Sequence, residues 1–229
     1  FAPYQTINTG AQAEVVCIAD INNDSLQDIV VGNRHGSDSL SAYKIITYVQ
    51  TDSGTISLDH IYPYPKIYPG VYTIDVADLN NDGLNDVVIS VWSKVLIYLQ
   101  DTMNDLQSPI EINSVVTSDY IDGLGIGDFN SDGLKDIAVS HDTTDVISII
   151  YQSPLGVYNE QIFVAPASCC SNQIDIGDVN NDNLDDVVLS TGGTPGCIAV
   201  YSQGTNGLLN NYLEYPNLPS QWGGNVSVD

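Results

Sequence analysis

One loop pattern, Asp-x-Asn-x-Asp-x-x-x-Asp, occurs four times in this chain, each time between two short apolar runs. The copies run from Asp20 to Asp28, Asp78 to Asp86, Asp128 to Asp136 and Asp178 to Asp186. Three carboxylates and an amide at alternate positions of so short a loop repel one another unless a cation sits among them. Ca2+ suits the set, because it is a hard cation that takes roughly six to eight oxygen ligands at flexible angles. Mg2+ demands tighter octahedral geometry and holds its waters, so it suits the set less well.

The expected side-chain ligands are Asp20, Asn22, Asp24 and Asp28 in the first loop and Asp78, Asn80, Asp82 and Asp86 in the second. Asp128, Asn130, Asp132 and Asp136 repeat them, as do Asp178, Asn180, Asp182 and Asp186. Position 7 is Leu26, Leu84, Leu134 and Leu184. A Leu side chain cannot ligate, so its backbone carbonyl is expected to coordinate while the side chain plugs the core beneath the loop. That makes about four Ca2+ ions, one per loop. Position 6 must turn sharply; Gly83 and Gly133 take positive φ without steric cost, Asn183 tolerates it, and Ser25 is the poorest choice. An EF-hand is excluded, because its bidentate Glu at position 12 is here Val31, Ile89, Val139 and Leu189.

The first ligands are separated by 58, 50 and 50 residues, a period that indicates stacked or radially arranged units. In each unit an apolar run such as Val15–Ala19 enters the loop and one such as Ile29–Val31 leaves it. A third run follows, as in Val95–Leu99, and a fourth ends near a proline, as in Ile162–Pro166. These runs are β-branched and aromatic, with no helical periodicity. Four strands per unit predict an all-β fold, a β-propeller of four-stranded blades. The repeats fall at about 13–62, 71–112, 121–163 and 171–215, with partial blades at Phe1–Ile7 and Gly223–Asp229.

The sequences Ile18-Ala-Asp-Ile-Asn-Asn-Asp-Ser25, Val76-Ala-Asp-Leu-Asn-Asn-Asp-Gly83 and Ile126-Gly-Asp-Phe-Asn-Ser-Asp-Gly133 resemble FG-GAP/VCBS repeats. That family includes the calcium-binding propeller of integrin α-subunits, some fungal lectins and many secreted bacterial proteins. The resemblance covers the whole chain, although the Phe-Gly and Gly-Ala-Pro elements survive only as Phe1-Ala-Pro3 and Phe163-Val-Ala-Pro166. It implies a propeller that usually has seven blades, so the four complete repeats would belong to a longer array. It also implies an extracellular or cell-surface setting and a glycan or protein partner.

The net charge is −24, and the loop aspartates carry half of it. With five Lys and Arg in total there is no basic patch for nucleic acid. No apolar run reaches the roughly eighteen residues that membrane insertion by a helix needs. Cysteine use fits an oxidising compartment. Antiparallel pairing of the last repeat should bring Cys197 to Cys170, or alternatively to Cys169; buried free thiols are the other reading. Cys17 stands in a core strand as a small buried hydrophobe.

No converging nucleophile, base and acid can be recognised, so the chain is not expected to be an enzyme. His35, His60 and His141 sit at unrelated repeat positions, and His141-Asp142 reads as a solvated turn. Asp75 and Asp175 share a place three residues before the first ligand, where the third repeat has Gly125, and should line a central channel. Binding and adhesion rank first, self-assembly into a surface layer or filament second, and a role in a polysaccharide-degrading enzyme last.

Overall fold

The computed structural model describes residues 6–34, 42–68, 70–117, 119–166, 173–192 and 196–216. These residues form sixteen strands in four antiparallel sheets, each a simple meander of four consecutive strands. Blade 1 contains β1 (Ala13–Ala19), β2 (Asp28–Asn33), β3 (Lys44–Gln50) and β4 (Ile56–Pro63). Blade 2 contains β5 (Thr73–Ala77), β6 (Asp86–Val91), β7 (Lys94–Tyr98) and β8 (Ile110–Asn113). Blade 3 contains β9 (Ile121–Gly127), β10 (Asp136–His141), β11 (Val146–Gln152) and β12 (Tyr158–Val164). Blade 4 contains β13 (Gln173–Gly177), β14 (Asp186–Ser190), β15 (Cys197–Tyr201) and β16 (Leu213–Pro216). No helix occurs among the described residues. The anticipated partial blades at the two ends fall largely outside them.

The Asp loops connect the first and second strand of each blade, because each loop's last Asp opens the second strand. The second strands bury both faces, since every residue of β6, β10 and β14 is buried. Continuous β-branched runs such as Val87-Val-Ile89 are what such a doubly covered strand requires. Val87, Ile89 and Val91 pack toward blade 1 with Val30 and Ile45. Val88 points the other way, into a core shared with Ile137 and Val139 of blade 3. The same alternation puts Val187 and Leu189 of β14 against Phe129, Ala138 and Ile147 of blade 3. A one-residue slip in any of these registers would exchange the two faces of the strand.

The cores therefore lie between blades. Innermost strands β1, β5, β9 and β13 follow one another around an axis, β5 packed beside β1, β9 beside β5 and β13 beside β9. This propeller-like arrangement also explains the Gly at residue 125. A Cβ there would stand 2.5 Å from Ile176 Cγ1 of β13, so the close approach of β9 and β13 leaves no room for the Asp found in blades 2 and 4.

Candidate metal centres

The first three loops fold by the same internal hydrogen bonds, and the fourth shares most of them. In the second, Asp82 N–H and Gly83 N–H donate to the two oxygens of Asp78 at 3.1 and 2.8 Å. Asp82 N–H also donates to Asn80 Oδ1 at 3.0 Å, and Asn80 Nδ2 donates to Asp82 Oδ2 at 3.0 Å. Leu84 N–H donates to Asp82 Oδ1 at 2.9 Å. The first and third loops reproduce this set with Asp20, Asn22, Asp24 and with Asp128, Asn130, Asp132. The fourth keeps the bonds to Asp178 and Asp182, but Asn180 Nδ2 turns to Asp186 Oδ2 at 3.2 Å.

The last Asp of each loop has a different environment. Asp28, Asp86, Asp136 and Asp186 are fully buried. Asp86 accepts from Leu79 N–H at 3.0 Å and from Gln100 N–H, just past β7, at 2.7 Å. Asp136 is held likewise by Phe129 N–H at 3.1 Å and Gln152 N–H at 2.8 Å. Burial pushes all four carboxyls up, and the loop's other two aspartates add to the rise. For Asp86 the value reaches about 6 and for Asp136 about 7. The buried carboxylates are thus held by main-chain amides while negative charge crowds them from above.

All four position-6 residues adopt positive φ: Ser25 at 70°, Gly83 at 85°, Gly133 at 86° and Asn183 at 65°. Position 4 does so as well, with Asn23, Asn81, Ser131 and Asn181 between 58° and 62°. The side chains that plug the core are not the expected ones at position 7, since Leu26, Leu84, Leu134 and Leu184 are only half-buried. Position 2 does the plugging. Ile21, Leu79 and Phe129 are buried, each in the core between its own blade and the next. The equivalent Val179 is 41% exposed.

Further side chains, not anticipated from the sequence, stitch the loops together. Gln100 Nε2 donates to Ile21 O at 2.6 Å, Gln152 Nε2 to Leu79 O at 2.8 Å and Gln203 Nε2 to Asp128 O at 3.1 Å. Asn23 Nδ2 reaches Gly83 O at 3.1 Å, and Asn81 Nδ2 reaches Gly133 O at 2.8 Å. The signal was present: Tyr48-Val-Gln50, Tyr98-Leu-Gln100 and Tyr201-Ser-Gln203 recur at the end of the third run, with Tyr151-Gln152 a shortened version.

Other expected features fall as follows. Asp75 Oδ1 accepts from Val76 N–H and its Oδ2 from Ile126 N–H at 3.2 Å, so this carboxylate ties β5 to β9. His141 is no solvated turn residue: it ends β10, fully buried, with Nε2 3.0 Å from Ser148 Oγ, and burial pushes its pKa down. Cys197 carries a free, buried thiol whose Sγ lies 3.4 Å from Thr191 Oγ1. Its expected partners Cys170 and Cys169 lie outside the described residues, as does His35. Cys17 is half-buried, and burial pushes its thiol up to about 11.

Among the described residues no group of three or more acidic, His or Cys side chains stands in an arrangement that could hold a metal ion. The donor chemistry of each loop nonetheless fits a hard cation. A carboxylate offers about four acceptor sites, and in the second loop Asp78, Asp82 and Asp86 each accept two of the hydrogen bonds described above. Among the described residues, the ion pair at this end of the blades is Lys135 Nζ to Asp185 Oδ2 at 3.4 Å, and Asp185 lies outside the ligand positions.

Four-stranded meander blades fanned around an axis, with an Asp-rich loop at the head of each second strand, define a propeller-like repeat protein. Residues 20–89 and 78–139 match the FG-GAP-like repeat, and together the two matches span more than half of the chain. The chain belongs to that family. No curated protein matches it. Repeats of this kind are typical of extracellular and surface proteins, and no helix among the described residues is long and apolar enough to cross a membrane.

Proposed function

We propose that the chain is a calcium-stabilised recognition module that works outside the cell and presents the ends of its blades to a glycan or protein partner. One observation supports the calcium reading: an oxygen-only donor set of three aspartates and an asparagine, written at the same spacing in four loops. Asp20, Asn22, Asp24 and Asp28, with the Leu26 carbonyl, would hold the ion in the first loop, and their counterparts would do so in the other three. When bound, Ca2+ supplies positive charge that offsets this repulsion and ties the first and second strand of a blade at their junction. The chain's own residues provide the remaining rigidity, through the buried aspartates and the glutamine stitches between blades.

The role is structural, so the module is proposed to bind and not to catalyse. The test is a calcium titration by calorimetry, paired with thermal melts in calcium and in chelator. Saturable binding with a raised melting temperature supports the reading; identical melts and no binding heat would remove calcium from it. Self-assembly is a second reading, supported by Val16, Ile18 and Leu58, which are exposed on one face of blade 1. Sedimentation equilibrium at rising concentration distinguishes the two.

A further inference from the structure

The end of the blades opposite the Asp loops is built differently. Val91 pairs with Lys94, which leaves Trp92 and Ser93 as a two-residue hairpin turn. Trp92 takes the first place of that turn at φ 57°, a conformation that suits Gly or Asn and strains a bulky side chain. It is also 39% exposed. An exposed Trp held in a strained turn is an outlier of the kind that clusters at binding sites.

Trp92 does not stand alone. Its ring centroid lies 4.6 Å from that of Tyr120, which lies 5.1 Å from that of Tyr72. The row is fixed by main-chain bonds, since Tyr72 N–H donates to Ser90 O and Ile121 N–H to Trp92 O, both at 3.0 Å. At its inner end Tyr72 lines a cavity of about 310 Å³, together with Glu14, Thr73 and Gln173. Polar groups of both kinds surround that mouth. Arg34, one of only five basic residues, pairs with Glu14 at 3.5 Å, and Arg34, Glu14 and Asp122 all lie near enough to act on the Tyr72 phenol. Asp142 in turn lies beside Asp122.

A sugar ring presents an apolar face that stacks on aromatic rings and hydroxyls that both donate and accept. A row of aromatic rings leading to a cavity lined by the Glu14 carboxylate and the Gln173 amide, with Arg34 paired to that carboxylate, matches those demands together. We infer that this end of blades 2 and 3 binds a neutral oligosaccharide, with Trp92, Tyr120 and Tyr72 as the stacking platform and Glu14, Arg34, Asp122 and Gln173 as hydroxyl partners. The inference rests on the reading of the chain as a recognition module and names its ligand class.

The test titrates neutral tetrasaccharides of glucose, galactose, mannose and N-acetylglucosamine, and separately a tetra-arginine peptide, into the calcium-loaded chain. Calorimetry reports binding, and a melt of each variant reports folding. W92G relieves the strained φ, so it should melt close to wild type and yet bind the sugar about tenfold more weakly. Y120A should weaken binding similarly, while Y120F, which keeps the ring, should bind like wild type. Saturable binding of at least one tetrasaccharide with that pattern supports the inference. Sugar binding that W92G and Y120A leave unchanged overturns the platform but leaves the module reading in place. No tetrasaccharide binding, or binding of tetra-arginine alone, overturns the sugar, and the module reading is then judged by its own calcium melts.

Discussion

The two ends of the blades follow opposite rules. At the loop end one pattern is written four times, and the buried aspartates Asp28, Asp86, Asp136 and Asp186 accept from the same two main-chain positions in every blade. At the other end the residue six places beyond each of those aspartates is Arg34, Trp92, Asp142 or Gly192. Repetition is what a shared structural task requires, since each loop must turn the chain, bury a carboxylate and lock onto its neighbour. Difference is what recognition permits, because a ligand needs unlike groups in unlike places. The loop end should therefore govern stability and the far end affinity, and substitutions should separate the two.

The largest single-site effect should come from Asp136→Ala. It removes the acceptor of two buried N–H groups, Phe129 and Gln152, at about 1–3 kcal/mol each. In a chain of this size such a loss lowers the melting temperature by several degrees, and sugar affinity measured below the melt should hold. A melt unchanged from wild type would mean that the buried carboxylate is dispensable.

Acidity should come next. Burial, with the charge of Asp175 added, pushes Asp75 up to about 6; burial, with Asp142 and Asp119 added, does the same for Asp122. A carboxyl whose folded pKa is raised binds more protons folded than unfolded between its ordinary value and the raised one. Stability then falls as pH rises from about 4 to about 6, and these groups change it little above that. Asp75→Asn should flatten part of that slope in a melt series. A series that rises across the window would contradict the assignment.

Gln100→Ala should cost about 1 kcal/mol, by deleting the Nε2 bond to Ile21 O between blades 1 and 2. Hydrogen exchange should report it as faster opening at that junction. The smallest effect runs the other way. Ser25→Gly relaxes a φ of 70° and should stabilise by about 0.5–1 kcal/mol, whereas Gly83→Ser should destabilise by about as much. A denaturant midpoint resolves both signs.

Much of this was legible in the sequence, and the rest was hidden for particular reasons. The repeat, the four-stranded blades and the positive φ at position 6 follow from spacing and residue type. The core plug expected at Leu84 falls instead to Leu79. Both are apolar, and only the path of the loop shows that position 2 points between blades. His141-Asp142 reads as a solvated turn because it follows a second strand, yet β10 extends to include His141 and Ser148 Oγ meets its Nε2. The glutamine stitches join residues 73 to 79 places apart, beyond the reach of local pattern, although their recurrence after Tyr was visible. The stacking of Trp92, Tyr120 and Tyr72 depends on how two blades dock, which no spacing encodes.

The central claim is that the loop end is held together by calcium. The direct measurement is a calorimetric titration of Ca2+ into the chelator-stripped chain, with a melt at each end of the titration. Each site filled at a hundredfold excess over its Kd adds about 2.7 kcal/mol, or roughly 5–10 °C in a chain of this size. The prediction is about four binding events and a melting temperature raised by at least the amount one site contributes. No binding heat, with superimposable melts in calcium and in chelator, would contradict it.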